Sequence, residues 1–310
     1  MRPPEPALPH RHAQAGTRPA PTGKENAGRV SRIEQKQNPE FNVCSAGGMT
    51  MELGLKGKVA LVTGSSRGIG RGTALALAAE GCDVMLTGRD GKALEEVAAE
   101  IRALGRRAVV AVLDLRAADG PEALIAALKR EFGGLDILFN NAGTTRRGDF
   151  FTLTDADWEE GYALKFFAHV RLTRLAWPLL RERRGSLIAM GGTSGRKPHA
   201  DFTIGSSVNA AVAAFTKCMA DRGKADGVRV NCIHPSLVET ERQWRRIRTE
   251  IERTGSPEEK IREEFCREAG IIRYGKVEDV ADLVTFIVSS RASWLHGATI
   301  DIDGGEIPVL

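Results

Sequence analysis

At 310 residues with 42% hydrophobic composition, the chain can bury one substantial core and does not require two large domains. Its 44 basic and 40 acidic side chains leave a formal charge of +4 with no long run of one sign, which argues against a dedicated nucleic-acid binder. The five cysteines are widely spaced, with no C-x-x-C pair and no zinc-ligand histidine spacing, and no run of about 18 consecutive apolar residues occurs, so a reducing compartment without structural metal or membrane span is expected.

Residues from Met1 to about Thr50 are rich in Pro, Ala, Gly, Arg and Gln and carry no apolar period. They read as a disordered extension, or as sequence upstream of a functional start at Met49 or Met51. Glu5, Glu25, Glu34 and Glu40 are wrong for a transit peptide and no apolar secretory core is present, so the expected location is cytoplasmic. From Lys58 onward, short β-branched runs alternate with Ala/Leu/Glu-rich helical stretches. Strands are predicted at Val59 to Val62, Asp83 to Thr87, Ala108 to Leu113, Leu135 to Phe139, Ser186 to Met190, Val228 to Ile233 and Thr299 to Ile302. Helices are predicted at Arg71 to Glu80, Lys92 to Leu104 and Pro121 to Phe132, with others between the later strands. Parallel strands need crossover connections, so this alternation implies a single α/β domain over residues 51–310: a doubly wound parallel sheet with helices on both faces.

Directly after the first strand stands Thr63-Gly64-Ser65-Ser66-Arg67-Gly68-Ile69-Gly70, and a helix follows at once. Such a turn lets backbone N–H groups approach a pyrophosphate at the positive end of the helix. The spacing G-x-x-x-G-x-G, with Asp114, Asn140-Asn141-Ala142-Gly143, Asn231 to Ser236, Arg273-Tyr274-Gly275 and Asp303-Gly304-Gly305, resembles the short-chain dehydrogenase/reductase family across essentially all of residues 51–310. The resemblance implies a Rossmann-like fold whose cofactor borders Gly64, Ser66, Arg67, Gly68, Ile69 and Gly70 at the turn. It further implies Asp114 and Leu115 at the adenine, Asn141, Ala142 and Gly143 at the ribose, and Pro235, Val238 and Thr240 at the nicotinamide.

Charge bears on cofactor choice. A site for NAD(H) places an acid at the end of the second strand, where it would repel a 2′-phosphate. Here the strand ends Leu86-Thr87-Gly88-Arg89, and Arg67 is a second cation on the same side. NADP(H) is therefore expected over NAD(H), the alternative for both arginines being a solvated surface.

The family's Ser, Tyr, Lys and helix Asn fall, by resemblance, at Gly192, Gly205, Asn209 and Lys165. The run Ala210 to Lys217 anchors that register, and no Tyr lies between Tyr162 and Tyr274. The apparent exchange of Lys and Asn suggests a site rebuilt around one cation. Lys165 would act as proton donor or electrophile and Asn209 would bond the nicotinamide ribose; otherwise Lys165 simply reaches solvent. Thr145, Arg146, Thr193, His199 and Trp244 are candidate substrate contacts, Arg146 suiting an acidic substrate, although a solvated Arg146, a surface His199 and a Trp244 that only packs the cover are open alternatives. The stretch from Glu239 to Cys266 is expected to cover the substrate.

These residues imply an NADP(H)-dependent oxidoreductase acting on a small carbonyl or alcohol. A non-catalytic NADP(H)-binding sensor or partner subunit, and a non-redox enzyme, are the competing readings. The expected partners are a small-molecule substrate and, from the family resemblance, further copies of the chain in a homotetramer or homodimer, with no nucleic acid, membrane or metal.

Overall fold

The computed structural model describes residues 51–308; the expected N-terminal extension lies outside them. Seven strands, β1 (Val59–Thr63), β2 (Asp83–Gly88), β3 (Ala108–Val112), β4 (Ile137–Asn140), β5 (Ser186–Met190), β6 (Arg229–Pro235) and β7 (Thr299–Ile302), form one sheet. Every pairing is parallel and the order is β3-β2-β1-β4-β5-β6-β7. Strands such as Val-Ala-Leu-Val-Thr in β1 are apolar on both sides because both faces of the sheet are covered.

The helices are α1 (Gly68–Ala79), α2 (Gly91–Ala103), α3 (Gly120–Phe132), α4 (Asp155–Tyr162), α5 (Ala168–Arg183), α6 (Thr203–Asp226), α7 (Glu241–Thr254), α8 (Glu258–Ala269) and α9 (Val277–Val288). Leu77 of α1, Leu94 and Ile101 of α2, and Val284 and Ile287 of α9 bury themselves on one face with Val62, Leu86 and Ile188. Leu124 and Leu128 of α3, Leu172 and Leu180 of α5, and Val212 of α6 cover the other face with Leu61, Leu138 and Leu187. Each such buried aliphatic side chain contributes about 1.5–3 kcal/mol. The strand order reverses between β1 and β4, which opens a crevice at the carboxyl ends of the strands.

Two boundaries differ from expectation for a physical reason. The first helix begins at Gly68 rather than Arg71, because Gly68 and Gly70, poor helix formers alone, are drawn into the first turn by close packing on the preceding loop. The fourth strand begins at Ile137 rather than Leu135. Asp136 before it is a brace, its carboxylate accepting from the Val59 N–H at 2.9 Å and pairing with Lys58 and Arg183 at 3.1 and 2.9 Å.

Candidate active site

The turn after β1 is shaped for close approach. Gly64 and Gly68 adopt φ of +65° and +56°, and a Cβ on Gly70 would stand 2.2 Å from the Gly64 carbonyl oxygen. Asn141 Nδ2 donates to the carbonyls of Thr63 and Gly64 at 2.8 and 3.3 Å, while Thr63 Oγ1 accepts the N–H groups of Asn141 and Ala142, each at 2.9 Å. The Asn141 amide thus braces the turn. Ser65 Oγ accepts from the Thr87 N–H at 3.0 Å and ties the turn to β2. Arg67 occupies the N-cap of α1 without a side-chain cap, so the first-turn N–H groups remain available to an anion. The turn therefore fits a dinucleotide pyrophosphate. Thr240 closes its far side, its methyl 3.3 Å from where a Cβ on Gly68 would stand.

A second set of groups lies at the carboxyl ends of β4 to β6. Between α4 and α5 the chain makes a π-helical turn, Ala163–Phe167, a local widening often found at functional positions. Lys165 leaves this turn, runs past Gly143 and donates from Nζ to the Gly191 carbonyl at 3.0 Å. Protein surrounds it while part of its surface stays open, as for a side chain lining a cleft. Burial pushes its ammonium down to about 7, and the positive charge of Arg242 acts in the same direction.

On the other side of the Gly191-Gly192 turn, buried Asn209 donates from Nδ2 to Ser194 Oγ at 2.9 Å, and its Oδ1 has no partner. A Cβ on Gly192 would stand 2.7 Å from that Nδ2. His234 accepts the Gly192 N–H on Nδ1 at 3.0 Å, and burial holds its imidazole below the usual range. His169 donates from Nε2 to Ala142 O at 3.0 Å and is pushed down to about 4, first by burial. Both histidines are therefore neutral braces for the turns that carry the site at pH 7.

The family described as short chain dehydrogenase matches residues 58–251. The chain is 30% identical over 256 residues to 2,3-dihydro-2,3-dihydroxybenzoate dehydrogenase of Bacillus subtilis, covering 81% of this chain and 97% of that protein. It is 31% identical over 257 residues to the 3-oxoacyl-acyl-carrier-protein reductase FabG of Aquifex aeolicus, covering 82% and 99%. The crystal structure of L-sorbose reductase from Gluconobacter frateurii, complexed with NADPH and L-sorbose, superposes with a TM-score of 0.81 at 32% identity, over 84% of this chain and all of that one. The chain belongs to the short-chain dehydrogenase family.

Within this short-chain dehydrogenase, the other sequence-predicted residues fall into three groups. Some stand at or just past the carboxyl ends of the strands. Arg67 and Arg89 are exposed and meet no carboxylate within 4.0 Å among the described residues. Asp114 is held bidentately by Arg116, which also binds Glu160, and this hydrogen bonding keeps its carboxyl below the usual range. Pro235 ends β6, and Val238 bridges to Gly275.

Some are drawn into packing. Leu115 is 3% exposed in the α3/α5 core, which leaves little of it for an adenine, and Ile69 packs against the opposite core. Trp244 joins Ile247, Ile261 and Tyr274 in a cluster that holds α7 to α8, with the Arg262 guanidinium 4.9 Å from its ring.

The rest lie on the segments that follow β4 and β5. Arg146 is not a free guanidinium: Asp157, held in the capping box at the start of α4, pairs with it at 2.9 Å. Thr145 offers its carbonyl to Arg242 at 3.3 Å, Thr193 is buried, and half-buried His199 lies with Nε2 4.0 Å from buried Glu306. Gly205 faces Phe202, and Arg147, paired with Asp201 at 2.6 Å, lies 4.3 Å over the Phe202 ring. Phe202, Arg147, Arg242 and His169 carried no motif signal, and Thr63 and His234 stood inside motif runs with no role of their own read for them. Only the aromatic three residues before Gly205 stood where inspection could have found it.

Among the described residues no helix is long and apolar enough to cross a membrane, and no group of three or more metal-ligating side chains converges.

Proposed function

We propose that this short-chain dehydrogenase is an NADP(H)-dependent oxidoreductase acting on a small carbonyl or alcohol, with Lys165 handling the proton in place of the family's Tyr. The observation that carries this reading is the Lys165 ammonium, held by Gly191 O at the cleft beside Gly143 and lowered to about 7. A proton donor is most effective when its affinity matches the working pH. NADP(H), when bound, exchanges a hydride with the substrate carbon. Lys165 gives its proton to the carbonyl oxygen in reduction and recovers it from solvent, and the neutral amine takes it back in oxidation. Asn209 presents its unpartnered Oδ1 for a ribose hydroxyl.

The unpaired guanidinia of Arg67 and Arg89 favour a 2′-phosphate, and the sorbose reductase solved with NADPH and L-sorbose supports both the cofactor and a small carbonyl compound. The family membership supports a cytoplasmic homodimer or homotetramer built from one domain over residues 51–310. A second reading, a non-catalytic NADP(H)-binding protein, is favoured by the Phe202 ring standing where a side chain at position 205 would project.

Incubation with NADPH deuterated at C4 and a pool of small carbonyl compounds separates the two. Label in a product supports the oxidoreductase. Label retained on a cofactor that is shown to be bound overturns it in favour of the second reading.

A further inference from the structure

The arginines of α7 divide into two pairs with opposite surroundings. Arg245 and Arg248 face outward to Glu241, at 3.8 and 3.5 Å. Arg242 and Arg246, one helical turn apart, meet no carboxylate within 4.0 Å among the described residues. Arg242 donates to the Thr145 carbonyl at 3.3 Å, and the Arg246 guanidinium lies 4.2 Å over the Phe265 ring. Like charges spaced four apart on a helix repel, so this inner pair is a cost that a counter-charge would offset.

Arg147, paired with Asp201 and lying over the Phe202 ring, adds to it. Its charge, after burial, lowers the proton affinity of both Arg242 and Arg246. Asp201, bound to Arg147, and Glu268 are the carboxylates close enough to offset Arg246, and Arg242 feels none. Arg242 keeps an exposed side chain although protein packs around its guanidinium, which donates to the Thr145 carbonyl. It borders the Lys165 site: the Thr145 carbonyl it meets lies two residues from Gly143, against which the Lys165 stem packs, and its charge acts on the Lys165 ammonium.

We propose that Arg242 and Arg246 recognise an anionic group, a carboxylate or a phosphate, on the molecule that reacts beside Lys165. The proposal rests on the oxidoreductase reading for the word substrate, but not for the anion site itself. Planar guanidinium forks match the paired oxygens of either group through charge-assisted bonds. A bound anion also offsets the Arg242 charge that opposes the Lys165 ammonium, so the proton donor is charged when such a substrate is in place.

The test is calorimetric titration of the NADPH-saturated full chain with succinate and with glycerol 3-phosphate, each beside its neutral counterpart, succinamide or glycerol. Expected is binding of at least one anion and of neither neutral compound. Arg242→Gln with Arg246→Gln weakens that binding about tenfold or more, and the outward pair, Arg245→Gln with Arg248→Gln, leaves it unchanged. Arg242→Gln alone gives the same change at smaller size and serves if the double variant melts early. Preference for succinate assigns a carboxylate, and for glycerol 3-phosphate a phosphate.

No preference for anion over neutral compound, equal loss in both double variants, or competition of the anion with NADPH overturns the proposal. Retention of deuterium on NADPH together with anion binding that depends on Arg242 and Arg246 removes the oxidoreductase reading and keeps the anion site. Label transfer to neutral carbonyl compounds, unchanged in the Arg242→Gln/Arg246→Gln variant, does the reverse.

Discussion

The Phe202 ring fills the space above Gly205: a Cβ on Gly205 would stand 2.1 Å from the ring's Cζ. A larger residue at 205 must therefore displace an aromatic ring that the Arg147 guanidinium also covers. Gly205→Tyr is expected to destabilise the chain by about 1–3 kcal/mol through overpacking, despite the better helix propensity of Tyr over Gly. Adding Phe202→Ala to it restores stability relative to the single variant. Urea unfolding of both checks this, and a Gly205→Tyr chain as stable as the parent would show that Phe202 does not own that space.

Lys165 ties stability to pH with a definite sign. Its ammonium is lowered from 10.5 to about 7 by burial, so between those values the unfolded chain binds the proton and the folded chain does not. Stability therefore rises with pH across that window by about 1.4 kcal/mol per unit from this group, and the full cost is present below pH 7. Lys165→Met should be more stable than the parent at pH 6, with an advantage that shrinks toward pH 10. Melting curves across that range decide it; a constant difference would place the ammonium in solvent.

The same substitution bears on turnover. With Lys165 as proton donor, Lys165→Met is expected to lower the reduction rate about 10²–10⁴-fold while NADPH affinity holds. The parent's rate should inflect near pH 7. A flat profile, or an unchanged rate in the variant, removes Lys165 from the chemistry.

His169 works in the acid range. Burial lowers its imidazole from 6.5 to about 4, so below pH 6.5 the unfolded chain takes up a proton that the folded chain refuses. Stability from this group falls between pH 6.5 and about 4, by up to roughly 3 kcal/mol. His169→Gln, whose amide can still donate to Ala142 O, should flatten the acid limb of the stability curve. An unchanged limb would mean that other groups cause the acid loss.

Arg67 and Arg89 should set cofactor choice. Replacing both with Ala is expected to weaken NADPH binding about 10- to 100-fold and leave NADH nearly unaffected. Parallel loss of both cofactors would show that the arginines support the turn and do not read the 2′-phosphate.

Much of the frame was legible because it rests on local regularities. Alternating strand and helix patterns specify a parallel sheet, and the glycines of Gly64 to Gly70 mark a turn that a Cβ would block. The N-N-A-G run was legible as a motif, but the use of the Asn141 amide to hold the Thr63 and Gly64 carbonyls was not. That contact joins residues 78 apart in the chain.

What the sequence by itself determined is the α/β class, the family, the position of the dinucleotide turn and the lack of any Tyr between Tyr162 and Tyr274. These follow from residue order, since backbone periodicity and turn chemistry act over a few residues. Only the tertiary structure decided that Arg146 is taken by Asp157 while Arg242 and Arg246 meet no acid within 4.0 Å among the described residues, that Phe202 occupies the space over Gly205, and that Lys165 ends on Gly191 O. Each depends on which side chains the packed sheet and helices bring within a few ångströms. Charge pairing and desolvation are functions of that distance and of burial, neither of which residue order prints.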